Sequence, residues 1–362
     1  MTQNVYIHIP FCKSKCKYCS FVSFPKLDLK EQYLSALSKE IDSNYKGELL
    51  ETLYIGGGTP SLLYEFEIEK IIKNFNTDKN TEITIELNPE TITEEYLNQL
   101  KNIGINRLSF GCQTFDDNIL KLIGRRHNSN NVINCIKYAH NVGFENISLD
   151  LIYGLPNQTT KMFEDDLNRA IELNIPHISL YGLKIDSDCY FAKNPPKNIP
   201  DEDTQADMYL KAIEILTKNK FEHYEISNFS KKGFNSHHNL NYWKNNTYYG
   251  FGAGAHGYEN GIRYNNFPIL EEYIKKPTIH AHSHNLSEQE KFEEEIFLGF
   301  RKSDGINIRE IDSKFGTDFD KKFKDIINKY LSTKHIKKTK NGYKLTINGI
   351  LVSNFILSEF ID

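Results

Sequence analysis

Val5-Tyr6-Ile7-His8-Ile9-Pro10-Phe11-Cys12-Lys13-Ser14-Lys15-Cys16-Lys17-Tyr18-Cys19-Ser20-Phe21 is the stretch from which the rest of the chain is read. Val5 to Ile9 is short and β-rich, and Pro10 removes an amide donor from any further ladder, so a strand ends here and a loop begins. Three cysteines follow as C-x3-C-x2-C, which puts three thiols on one tight loop beyond the strand's carboxyl end. Soft sulfur ligands suit an iron-sulfur cluster or zinc. A structural zinc site uses four closed ligands, and His8 could supply the fourth; a four-iron cluster held by three cysteines leaves one iron open for a substrate or cofactor. On spacing alone both readings stand.

Working outward, a second short strand, Thr52 to Ile55, runs into Gly56-Gly57-Gly58-Thr59-Pro60. Further strands are expected at Glu82 to Leu87, Arg107 to Phe110, Asn146 to Leu151 and His177 to Leu183. Helical patterns fall at Leu29 to Asn44, Thr93 to Asn102 and Lys161 to Leu173. This βα alternation, joined by right-handed crossovers, predicts an α/β fold whose parallel sheet curls toward a barrel. Its functional loops gather at the strands' carboxyl ends, so the cysteine and glycine loops share a face. Beyond Leu286 the pattern changes: helices Glu288 to Arg301, Ile308 to Phe315 and Phe319 to Leu331 precede two β segments about Asn341-Gly342, a strong hairpin signal. The chain therefore divides into a core (1–230), a glycine-rich connecting segment (231–285) and a small helical, winged-helix-like domain (286–362).

Composition narrows the class. The 362 residues are 39% hydrophobic and 25% charged, and the formal net charge of -4 supplies no basic field for nucleic acid. There is no run of roughly 20 apolar residues to span a bilayer and no basic-then-apolar leader, so a cytoplasmic location is expected. Six cysteines, three of them within residues 12 to 19, fit reduced thiols and a metal better than a disulfide framework. Cys112, Cys135 and Cys189 are expected to be buried and inert.

Tyr6-Ile-His-Ile-Pro-Phe-Cys12-x3-Cys16-x-Tyr18-Cys19-x-Phe21 resembles the signature of radical S-adenosylmethionine proteins in the coproporphyrinogen dehydrogenase-like group. Gly56-Gly-Gly-Thr-Pro60 resembles that group's loop for the cofactor's amino group. Glu86 in Ile-Glu-Leu-Asn-Pro, Gln113 in Ser-Phe-Gly-Cys-Gln, Arg125 in Gly-Arg-Arg-His and Asp150 in Leu-Asp-Leu-Ile-Tyr-Gly fall at matching positions. In the tail, Leu345-Thr-x-x-Gly349 and the apolar helix after it look like the group's carboxyl-terminal domain. The resemblance implies a partial (β/α)6 TIM-like barrel and a [4Fe-4S] cluster on Cys12, Cys16 and Cys19. It also implies S-adenosylmethionine on the open iron, held by Tyr6, Phe21, Gly57, Gly58, Thr59, Glu86, Gln113, Arg125 and Asp150. Asp150 or Gln113 suits the ribose hydroxyls, and the Arg125 fork suits the methionyl carboxylate.

Two members of the group must be told apart. The oxygen-independent coproporphyrinogen dehydrogenase, which decarboxylates propionates, has a fourth cysteine two residues after the third, where this chain has Phe21, and an extension ahead of its cluster strand. The HemW group, described as haem chaperones, has an H-N-x-x-Y-W motif, matched by His238-Asn239-Leu-Asn-Tyr242-Trp243, with Gly250-Phe-Gly-Ala-Gly-Ala-His256-Gly close behind. That resemblance implies haem as cargo, with His238 as the preferred ligand, His256 and His237 as weaker candidates, and Asn239, Tyr242 and Trp243 nearby. It further implies haem-accepting proteins as partners, including transient contact with membrane haem proteins. Read without the resemblance, Tyr242 and Trp243 are core anchors and His238 a hydrogen-bonding side chain.

Overall fold

Six parallel strands follow one another in chain order: β1 Asn4–Ile9, β2 Thr52–Gly57, β3 Glu82–Leu87, β4 Arg107–Gln113, β5 Asn146–Tyr153 and β6 His177–Gly182. They come from a computed structural model that describes residues 2–361. The two faces of the sheet carry opposite chemistry. Ile7, Ile55, Ile85, Leu108 and Ile147 stand in register across β1 to β5 and are fully buried. Helices Lys30–Asn44, Glu65–Ile72, Glu94–Asn102, Ser129–Val142 and Thr160–Glu172 return each strand to the next, and their buried stripes, such as Tyr33, Ala36, Leu37 and Ile41, join that core. The alternate residues face the other way: Tyr6 and His8, Tyr54, Thr84 and Glu86, Ser109, Ser148 and Asp150, His177 and Ser179. Strands of a parallel sheet covered on both faces usually read as unbroken apolar runs, so a polar inner row marks a face kept for function.

The helices start where the sequence signals them. Thr93 accepts from the Tyr96 N–H, Thr159 from the Met162 N–H, and Asn128 forms a capping box with Asn131.

The sheet does not close. Beside β6 lies the antiparallel β8 (Asn228–Ser230) and outside it β7 (Glu222–Glu225); at the other edge β9 (Tyr249–Phe251) adds in parallel to β1. The segment after residue 231 thus supplies a strand to the main sheet. It also forms a second antiparallel sheet of β10 (His256–Glu259), β11 (Ile262–Asn265) and β12 (His282–Asn285).

The tail gathers its own core around Phe292, Ile296, Phe300, Phe319, Phe323 and Phe360. Its sheet has the order β13 (Ile306–Asn307), β15 (Gly342–Leu345), β14 (Ile336–Lys338). Two details differ from expectation. The helix expected over Phe319 to Leu331 breaks into Phe319–Lys322 and Lys324–Ser332, because Phe323 leaves helical geometry to put its ring 4.9 Å from Phe319 and 5.0 Å from Phe360. The hairpin forms, but Lys340 and Asn341 make its turn, with the Thr339 N–H donating to Gly342 O. Gly342 belongs to β15, where a Cβ would stand 2.3 Å from the Ile306 carbonyl oxygen of the neighbouring strand.

Candidate functional site

At the carboxyl ends of the strands lies a cavity of about 810 Å3, lined by Cys12, Cys16, Cys19, Phe21, Gly57, Gly58, Thr59, Glu86, Gln113, Arg125 and Asp150 among others. Residues separated by up to 138 positions in the chain are brought to one wall because each follows or ends a strand of the same parallel sheet. Of the set expected around S-adenosylmethionine, only Tyr6 stands behind the wall.

The cysteine loop is fastened at both ends. The Cys12 N–H donates to Phe24 O, the Phe24 N–H to Pro10 O, and the Lys17 N–H to Ile123 O. His8 ties it from below. Its Nε2 lies 2.7 Å from Val22 O and its Nδ1 2.9 Å from the Tyr6 hydroxyl. A carbonyl only accepts, so Nε2 carries the proton and Nδ1 accepts from Tyr6. Burial pushes the His8 pKa down to about 4, and the ring is neutral. With both nitrogens engaged, His8 offers no fourth ligand, which removes the particular zinc site that spacing alone had left open.

The three thiols are free. Burial raises Cys12 and pushes Cys19 up to about 11, and a cationic centre held by the loop would favour the thiolates. The glycine loop is obligatory in detail. Gly57 has φ +113° and a Cβ there would lie 2.7 Å from the His8 ring, while one on Gly58 would lie 2.7 Å from Phe11 O.

Two carboxyls face the cavity. Glu86 accepts from the Gly57 N–H and the Tyr54 hydroxyl, each at 2.9 Å, and burial, then Asp150, pushes it up to about 7. Asp150 accepts from the Ser109 hydroxyl at 3.2 Å and is pushed by burial up to about 6. Arg125 donates to Gly111 O at 2.6 Å and stands 3.7 Å from Cys16 Sγ, with its Nε unpartnered. Gln113 takes a left-handed φ of +72° where the β4–β5 register shifts. Thiols, a guanidinium and two half-neutral carboxyls on one wall can hold a ligand with hydroxyls at one end and an amino-acid group at the other.

The H-N-x-x-Y-W segment sits elsewhere. Helix His237–Trp243 packs under the amino ends of β1, β2 and β3. The His238 and His237 N–H groups donate to Glu82, and Asn241 accepts from Asn4. His238 Nδ1 donates to Thr52 Oγ1 at 2.8 Å, since that hydroxyl spends its own proton on Asn4. His238 Nε2 accepts from the Tyr242 hydroxyl at 2.9 Å, and the ring stacks 4.9 Å from Tyr54. The side chain is 1% exposed. Both ring nitrogens of His238, the preferred haem ligand of the sequence reading, are thus engaged in hydrogen bonds in this arrangement. Tyr242 packs on Tyr248, and Trp243 lies beneath the Arg301 guanidinium, 5.5 Å from its ring centre. Asn239 lies on the same helix, its N–H bonded to Ser236. His237 is exposed in a separate groove with Leu240 and Lys244, and His256 is exposed on β10, outside the cavity wall.

Sequence reading missed Tyr54, Ser109, Tyr181, Tyr209, Arg301 and Leu351, all of which touch the cavity or its wall. For Tyr54, Ser109 and Tyr181 the signal was present, as the polar or aromatic member of each strand's alternation. Tyr209 and Leu351 lie on separate helices and Arg301 in the turn after a third, Glu288–Gly299, and no local signal marks them.

Known proteins share this architecture. The radical SAM superfamily matches residues 6–170, and the HemN C-terminal domain matches residues 286–352. The chain is 36% identical to the heme chaperone HemW of Lactococcus lactis, over 99% of this chain and 97% of that protein. It is 37% identical to the heme chaperone HemW of Bacillus subtilis, over 99% of both chains. The solved coproporphyrinogen III oxidase HemN of Escherichia coli, a radical SAM enzyme, superposes with a TM-score of 0.88 at 23% identity, over 99% of this chain and 90% of that one, a likeness of fold. By its motifs, its strand-end cavity and its end-to-end identity with these relatives, the chain belongs to the HemW family of radical SAM proteins.

Proposed function

We propose that this protein binds haem and passes it to haem-accepting proteins, carrying a [4Fe-4S] cluster on Cys12, Cys16 and Cys19 with S-adenosylmethionine on the open iron. The observation that carries the haem reading is end-to-end identity of 36% and 37% with two proteins named heme chaperones. The replacement of a fourth loop cysteine by Phe21 supports it. For the cofactor, the support is the donor set: three free thiols on one cavity wall with a guanidinium beside Cys16. Three cysteines on one loop, with His8 engaged at both nitrogens, suit a cluster that keeps one iron open better than a closed four-ligand zinc.

When bound, the cluster supplies one electron to S-adenosylmethionine or holds it as a ligand. The chain's own residues do the holding. Arg125 pairs with the methionyl carboxylate, the carbonyls of Gly57 and Gly58 take the amino group, and Asp150 or Gln113 accepts the ribose hydroxyls. Glu86 braces the glycine loop through the Gly57 N–H. Phe21, 64% exposed, covers the cavity's mouth, and Tyr6 acts through His8 on the cysteine loop. Acceptors are haem proteins, those of membranes included, reached from the cytoplasm; no helix among the described residues is long and apolar enough to cross a membrane.

Anaerobic reconstitution with iron and sulfide, followed by haem titration and a coproporphyrinogen turnover assay in parallel, tests this. The expected result is four irons per chain, lost in Cys12→Ser, Cys16→Ser and Cys19→Ser but kept in Cys135→Ser, with saturable haem uptake and no decarboxylation. Decarboxylation without haem uptake would make the protein a coproporphyrinogen dehydrogenase instead.

A further inference from the structure

The cavity extends well past the cysteines and the carboxyls. Its outer half, between barrel and tail, is walled by Tyr181, Tyr209, Ile226, Ile350 and Leu351, with Arg301 set among them. Four of these come from the barrel side and the tail's helix Ile347–Leu351, so neither part alone makes the wall. Tyrosine and aliphatic side chains make much of this wall, with Glu202, Gln205 and Lys184 also lining the cavity and the Arg301 cation at the junction with the tail.

That cation is unspent. Arg301 makes no ion pair among the described residues; its one side-chain hydrogen bond is a long one, 3.4 Å from Nη2 to Asn354, and its Nε is buried without a partner. The guanidinium lies between two aromatic faces, 4.5 Å from the Phe297 ring centre and 5.5 Å from that of Trp243. Glu225, the acid beside it, is committed to the Ser227 N–H and the Asn228 amide, and burial leaves its carboxyl half neutral near pH 7. A guanidinium packed against aromatic rings, facing a cavity and in ion-pair contact with no carboxylate among the described residues, is a site for a ligand's carboxylate.

Building on the haem reading, we propose that the outer half of the cavity seats the tetrapyrrole, with Arg301 pairing to one propionate and Trp243 holding the guanidinium in place. The motif's tryptophan then serves the cargo from behind, as a positioning residue. The macrocycle lies on the tyrosine and aliphatic walls, and its carboxylate supplies the missing partner.

The test uses the ligand's own chemistry. Haem and haem dimethyl ester, which lacks the two carboxylates, are titrated into the full-length reconstituted protein, Arg301→Gln, Arg301→Lys and Trp243→Phe. A charge-assisted pair gives the native chain a preference for haem over the ester of about ten- to a hundredfold. Arg301→Gln brings that ratio toward one, Arg301→Lys keeps an intermediate ratio, and Trp243→Phe lowers it without abolishing it. A ratio near one in the native protein overturns the placement without reference to any variant, so a variant that fails to fold does not rescue it. An undiminished ratio in Arg301→Gln overturns the role of Arg301. Failure of the native protein to bind either ligand saturably overturns the haem reading itself, an outcome distinct from binding without discrimination.

Discussion

Removing the His238 imidazole separates a ligand from a structural side chain. In His238→Ala the Tyr242 hydroxyl loses its acceptor inside the barrel, which costs roughly 1–3 kcal/mol as an unsatisfied buried donor. Ring contacts with Tyr54 at 4.9 Å and Tyr242 at 5.0 Å go too, about 0.5–1.5 kcal/mol each. Thr52 still donates to Asn4, so it adds little. Allowing for overlap and partial collapse of the space left, the loss is roughly 3–5 kcal/mol, enough to unfold a marginal domain. A fall in haem uptake by the alanine variant is therefore expected and proves nothing about coordination. His238→Gln is the informative variant, because the amide can donate to Thr52 and accept from Tyr242. It should lose only about 1–2 kcal/mol in urea unfolding. Once folded, it should keep haem affinity within about threefold and leave the Soret band where the native protein has it. A folded glutamine variant with haem binding weakened more than about tenfold, or with a Soret band shifted to that of haem lacking a histidine ligand, would refute this account of His238.

Other outcomes follow from the buried acids and the glycine loop. Burial raises Glu40, Glu86 and Glu225 from 4.5 to about 7, and Asp150 and Asp166 from 3.8 to about 6. The folded state therefore holds protons that the unfolded chain has released. The stabilisation from each acid is complete below its unfolded value and is lost as pH rises through its folded one, whereas burial of His8, His127, His223 and His238, lowered to about 3–4, works in the opposite sense below pH 6.5. The acids' share is therefore read against Glu86→Gln, relative to which the native urea midpoint should fall between pH 4.5 and pH 7; a difference that stays flat across that window would contradict the raised Glu86. Glu40→Ala orphans the Gly252 N–H and the Tyr273 hydroxyl at once and takes from the Asn266 amide one of its three acceptors. A drop of roughly 3–5 kcal/mol in unfolding free energy is expected, and a change below about 1 kcal/mol would show that these donors find water. Gly57→Ala drives a Cβ against the His8 ring at a left-handed φ, so besides a strain of about 1–2 kcal/mol it should lower iron retained after reconstitution; full iron content would show that His8 does not hold the cysteine loop.

What the sequence made legible is what depends on neighbours in the chain. Six strands were readable because each is a β-rich run between helical patterns, and the cysteine loop because Pro10 ends its strand two residues before Cys12. Cysteine and glycine loops on one face followed from the parallel topology alone. Turn chemistry was half right: Asn341-Gly342 marked the hairpin, yet the glycine answers to the approach of Ile306, a strand thirty-six residues away that no local rule contains. The break at Phe323 is similar, a tertiary demand on a ring that overrides a helix with no proline or glycine in it. Arg301 was invisible because, although Phe297 is only four residues away, Trp243 and the cavity's barrel wall lie on other elements.

The His238 helix shows what structural work a recognised motif does in the fold. A curled sheet with a polar inner row has two ends to account for. The carboxyl end opens into the cavity, where a ligand can meet its groups. At the amino end Asn4, Thr52 and Glu82 are buried, and beyond the Thr52-to-Asn4 bond their polar atoms need further partners. The helix His237–Trp243 answers each of them: Asn241 for Asn4, the His238 ring for Thr52, two N–H groups for Glu82. Tyr242 completes the imidazole's second bond, and Trp243 reaches across to back Arg301. From the same imidazole, contacts run inward to Tyr54 and on to Glu86 and the glycine loop; Tyr6, 6.5 Å away, leads through His8 to Val22 in the cysteine loop. The motif's polar letters are thus those that a plug at the base of a polar barrel requires, and the plug rests on the same column of side chains that steadies both loops at the mouth.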